Sequence, residues 1–144
     1  MHYFVVVAGG VEKALWVHAL MRNQHYKLTR PGSVYAVDIK VGKQQYYIAC
    51  GGEDKTASVY SFTNEPDEEV LHLCDFKQSD KGILTVSLRI FDQASGENGE
   101  HKECVWLAAA GMDKVVRVYN VLTRSLLCQA CHSNLTKFTS SLAS

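Results

Sequence analysis

The chain has 144 residues, of which 47% are hydrophobic and 21% charged, an ordinary balance for a globular domain with one compact core. Fifteen basic residues cancel fifteen acidic ones, so no global charge draws the chain to nucleic acid or to an anionic membrane. No apolar run approaches the about 18 residues that a membrane-spanning helix needs.

The first predicted element is a buried strand from His2 to Ala8, followed by Gly9-Gly10, where a turn tolerates no side chain. Ala14 to Leu20 reads as the next strand, with Trp16 expected between two packed sheets. A helix over 11–22 is the rival, because Val11, Leu15, His18 and Met21 have mixed helical spacing and short apolar runs are ambiguous. His25 to Arg30 is an outer strand stopped by Pro31-Gly32.

Val34 to Lys40 alternates with period two and reads as an inner strand. Turns at Gly42-Lys43 and Gly51 to Lys55 flank a strand at Tyr47 to Cys50, and Ala57 to Phe62 follows. The acidic connector TNEPDEE (63–69) leads into an outer strand at Val70 to Phe76, then the polar turn KQSDKG (77–82). Ile83 to Phe91 is a second inner strand, and DQASGENGEHKE (92–103) is a long polar insertion. Cys104 to Ala110, Val115 to Val121 and Ser125 to Cys131 are three further strands, and HSNLTKFTSSLAS (132–144) begins another unit.

Three stretches repeat one another. LAAAGMDKVVRVYNV (107–121) is a small-residue strand, a tight turn carrying Asp113, and a β-branched strand ending in Tyr119-Asn120. YIACGGEDKTASVYSF (47–62) has Asp54 in the turn and ends in Tyr60-Ser61. FVVVAGGVEKALWVHAL (4–20) has Glu12 in the turn and ends in His18-Ala19. Repetition at such a period outranks any local reading. These stretches resemble the WD-repeat β-propeller family, with the signature Trp-Asp pair replaced in all three copies.

The resemblance implies an all-β, partial β-propeller of about three four-stranded antiparallel WD-like blades. The units span about 1–33, 34–82 and 83–131 within one domain, with 132–144 starting a further unit. Propellers close with about 4–8 blades. The chain is therefore expected to be a fragment or short isoform of a larger propeller, or to be completed by other chains through self-association. Neighbouring sheets would then cover both faces of each strand, and Ala108-Ala109-Ala110 would let them approach closely.

The family often links its turn Asp to a loop His, a strand Ser or Thr and the strand Trp. Neither 30–33 nor 77–82 supplies that His. Asp54 and Asp113 are therefore expected to be structural turn-formers whose carboxylates accept backbone hydrogen bonds. His132 matches the loop position for a unit whose Asp lies beyond Ser144.

Cysteines at 50, 74, 104, 128 and 131 are odd in number. The start MHYFVVVAGG lacks a basic region, and its apolar run breaks at Glu12-Lys13, unlike a signal peptide. Free thiols in the cytoplasm or nucleus are expected, where the sequon Asn134-Leu135-Thr136 meets no glycosylating machinery.

Cys128-Gln129-Ala130-Cys131-His132 matches a haem-attachment pattern, and His101-x-x-Cys104 with Cys128-x-x-Cys131 has zinc-like spacing. The propeller reading opposes zinc, because it puts the two pairs at opposite ends of a sheet. No phosphate-cradling glycine loop, nucleophile elbow or Ser/His/Asp spacing indicates an enzyme.

The expected function is a non-catalytic scaffold that binds other proteins through its loops, with no cofactor, nucleic acid or membrane. The alternative is a metal- or haem-binding protein using Cys128, Cys131 and His132. Topology would group Glu65, Asp67, Glu68 and Glu69 with Asp92, Glu97, Glu100 and Glu103 on one face, diluted by Lys40, Lys43, Lys102 and Arg124. That acidic face suits a basic segment of a partner. Glu53, Lys55, Met112 and Lys114 would form part of the opposite rim.

Overall fold

A computed structural model describes residues 5–63, 65, 67–95 and 99–131. Three antiparallel sheets follow one another along the chain. The first holds β1 (Val5–Gly9), β2 (Ala14–Ala19) and β3 (Gln24–Thr29). The second holds β4 (Val34–Val41), β5 (Tyr46–Gly52), β6 (Ala57–Phe62) and β7 (Leu71–Phe76). The third holds β8 (Ile83–Ser95), β9 (Glu100–Gly111), β10 (Val115–Asn120) and β11 (Ser125–Cys131). Each sheet is a meander in chain order. The all-β expectation holds, and no described helix is long and apolar enough to cross a membrane.

Over 11–22 the strand prevails. Leu15, Val17 and Ala19 alternate into the core with exposures of 0%, 0% and 1%, and only Leu20–Arg22 coils into a single 3-10 turn. The same alternation corrects the expectation for Trp16. With its odd-numbered neighbours inside, Trp16 points to the opposite, uncovered face of the first sheet, where Lys27 Nζ lies 5.5 Å from its ring centre. The insertion also differs from a plain loop: residues 92–95 lengthen β8 and 100–103 lengthen β9, pairing Asp92 with Glu103 and Gln93 with Lys102.

The second sheet is covered on both sides, which is why every residue from Tyr47 to Gly52 and from Ala57 to Phe62 is buried. Ile48, Cys50 and Phe62 pack with Leu15 and Val17 of the first sheet. Tyr47, Ala49 and Val59 pack with Val86, Leu88 and Leu107 of the third. Each fully buried Leu or Val contributes about 1.5–3 kcal/mol relative to exposure.

The two joints between sheets are built alike. A Cβ on Gly9 would collide with Val34 and Val37 of β4, and one on Gly51 would lie 2.5 Å from Ile83 Cγ2 and 3.2 Å from Val86 Cγ1 of β8. Glycine lets the first strand of the next sheet seat directly on the backbone. Ala110 holds the corresponding place in β9, on the outer face of the third sheet. Of the three alanines, only Ala109 faces the joint, at 5% exposure.

Candidate functional site

Hairpin chemistry builds the two rims that the strands end on. The β1–β2, β5–β6 and β9–β10 turns each place a lysine in the left-handed region: Lys13 at φ 59°, Lys55 at φ 65° and Lys114 at φ 62°. Lys55 N donates to Gly52 O at 3.2 Å and Lys114 N to Gly111 O at 3.1 Å. A turn closed this way and followed by a left-handed residue is a common short hairpin connection. It projects Glu53, Lys55, Met112 and Lys114 into solvent. Glu53 is tied back, accepting from Ser33 N at 3.3 Å, and Met112 is 49% exposed.

Asp54 and Asp113 sit in these turns, where Oδ1 of each accepts the backbone N–H two residues on, Thr56 at 3.3 Å and Val115 at 3.1 Å. Their second oxygens show what sequence reasoning missed. Asp54 Oδ2 takes Arg30 Nη2 at 2.6 Å, with side chains only 9% and 8% exposed, and Arg30 Nη1 donates to Tyr60 OH at 2.9 Å. Asp113 Oδ2 takes Arg117 Nη1 at 2.6 Å and Ser79 Oγ at 3.2 Å. For Asp54 an arginine, Arg30, stands in the loop where the family has a histidine; for Asp113 that loop supplies Ser79, and the arginine comes from β10.

Electrostatics follow from these pairs. Burial opposes the Arg30 charge, yet Cys50, Tyr60 and Asp54 outweigh it and raise its pKa. Burial likewise opposes the Asp113 carboxylate, but Arg117, the Val115 N–H and Ser79 hold its pKa below the usual range. Burial pushes the Cys50 thiol up to about 11, against the lowering pull of Arg30. These are buried structural pairs at the base of the turns, the Arg30 pair sharing Tyr60 and the Arg117 pair leaving Arg117 Nε without a partner.

The opposite rim carries the acidic loop. Glu65, Asp67, Glu68 and Glu69 are all exposed, and none is ion-paired among the described residues. The loop is nevertheless anchored: Tyr26 OH donates to Glu68 O at 3.0 Å, and Glu68 N donates to Glu65 O at 3.2 Å. Asp67 adopts φ 67°. Asp92 and Glu103 lie on the same rim but form a second patch, partly neutralised. Lys43 Nζ is 3.0 Å from Asp92, and Lys43 N donates to Glu103 Oε1 at 2.7 Å. Glu97 and His132 lie outside the described residues.

The cysteines do not converge. Cys50, Cys74 and Cys104 are buried, whereas Cys128 and Cys131 are exposed, and all five are free. Cys128 pairs with Val118 and Cys131 with Val115 in extended β11. Three residues of strand separate the two thiols by about 10 Å and turn them to opposite faces. Cys104 sits about seven strand residues, or about 23 Å, from the level of Cys131, too far to share one tetrahedral ion. Comparison with known proteins matches the chain to no protein-family model and to no curated protein.

Proposed function

We propose that this chain is an arc of a WD-repeat-like β-propeller that serves as a non-catalytic, protein-binding scaffold. The observation that carries the reading is the repetition of one joint: Gly9 beneath Val34 and Val37, then Gly51 beneath Ile83 and Val86. Two finer coincidences support it. A bulge follows Val34 in β4 and Ile83 in β8, and another follows Val59 in β6 and Val118 in β10. Such a framework holds loops rigidly for partners.

The docking surface in this reading is the anchored, unpaired acidic loop Glu65, Asp67, Glu68 and Glu69, and its partner is a protein with a basic segment. The test is quantitative affinity capture with wild type and a variant in which these four residues become lysine. Salt-sensitive partners present with wild type and lost from the variant are expected. An unchanged partner set overturns the surface.

A further inference from the structure

The outer face of the first sheet carries a side-chain arrangement that the scaffold reading does not use and does not depend on. β2 and β3 pair so that His18 stands directly opposite His25. Their Nδ1 atoms are 2.7 Å apart, and the rings meet edge to face at 67°. Each ring is held by a different neighbour. Trp16 lies parallel to His18, 3° between planes and 5.9 Å between centres. Asn23, in the left-handed conformation at φ 51°, places Oδ1 3.3 Å from His25 Nε2.

The Asn23 contact favours one neutral tautomer of His25. Nε2 donates its N–H to the carbonyl oxygen, so Nδ1 carries the lone pair and aims it at His18. Fixing one ring nitrogen through a carbonyl is how proteins orient imidazoles that ligate metals. His18 Nδ1 then carries the shared proton, and moving that proton to its Nε2 leaves both Nδ1 atoms as donors 2.7 Å apart.

We propose that His18 and His25 form a two-imidazole site for a divalent transition metal that favours right-angled nitrogen coordination. Bonds of about 2.0 Å place cis nitrogens about 2.8 Å apart at a right angle and about 3.3 Å apart in a tetrahedron. The observed separation is nearer the first, which suits Ni(II) or Cu(II) better than Zn(II). No third His, Cys, Asp or Glu completes a cluster among the described residues, so water fills the remaining positions. The ion would clamp β2 to β3 across the sheet's uncovered face.

Ni(II) is the probe, because Cu(II) would oxidise the free thiols. Calorimetric titration of the full chain should show one Ni(II) equivalent that disappears in both His18→Gln and His25→Gln. Asn23→Gly keeps the left-handed backbone while removing the carbonyl, and should weaken that equivalent about 10- to 100-fold. A metal-free melt matching wild type certifies each variant. Exposed His25 carries the test should His18→Gln fail to fold. Retention of the equivalent in either folded histidine variant overturns the proposal, as does Asn23→Gly binding Ni(II) like wild type.

Discussion

At the scale of single residues, the turn aspartates were legible and their partners were not. Asp54 lies in the polar run Gly51-Gly52-Glu53-Asp54-Lys55 between two apolar strands, a local pattern that announces a turn. Arg30 is 24 residues away and beside Pro31, where nothing local distinguishes a buried cation from the last residue of an exposed strand. Its burial has a testable cost. Removing one member of a buried pair leaves the other charge without compensation, which costs about 3–5 kcal/mol. Arg30→Leu should therefore destabilise the protein by about 3 kcal/mol in urea melts at neutral pH, since Asp54 would remain 9% exposed beside an apolar neighbour. Adding Asp54→Asn should restore part of that loss, because the orphaned charge is gone. Strict additivity of the two changes would mean the pair does not couple.

At the scale of elements, the strands were legible because glycines and polar turns bound their apolar runs. The long β8–β9 hairpin was not. Its outer half has no apolar face, and it sets Asp92 directly opposite Glu103, a pairing that is unfavourable by itself. Lys43 of the second sheet relieves it, giving its ammonium to Asp92 and its backbone N–H to Glu103. No local pattern could have announced that rescue. The sheet joints teach the converse lesson, since one glycine decides each of them. Gly51→Ala would set a methyl 2.5 Å from Ile83 Cγ2, and overpacking of this kind costs about 1–3 kcal/mol. Ala110, at the matching place in β9, faces outward; Ala110→Gly should cost no more than the about 0.5–1 kcal/mol of a strand glycine. Equal penalties at the two positions, measured by thermal melts, would show that the joint does not depend on that close approach.

At the scale of the whole molecule, the second sheet is covered on both faces and the other two are covered on one. The outer face of the first sheet shows Val6 at 45% exposure beside Ala8 and Trp16. That of the third shows Trp106 at 38%, with Ala108, Ala110, Val116 and Val118 alongside. Contiguous apolar surface of this kind marks an association site or an aggregation hazard. Neither face carries an acidic side chain from β1, β2, β10 or β11 that would discourage packing. The expected state is therefore a defined oligomer in which the third sheet's outer face is covered by another chain, with a cooperative melt and a light-scattering mass that is a multiple of 16.0 kDa. Val118→Lys puts a charge in the middle of the outer face without touching either joint, so it should return the mass to one chain. A wild-type monomer of 16.0 kDa that melts cooperatively would overturn the prediction. Those faces would then be stable in water, and three stacked sheets would suffice for a folded domain.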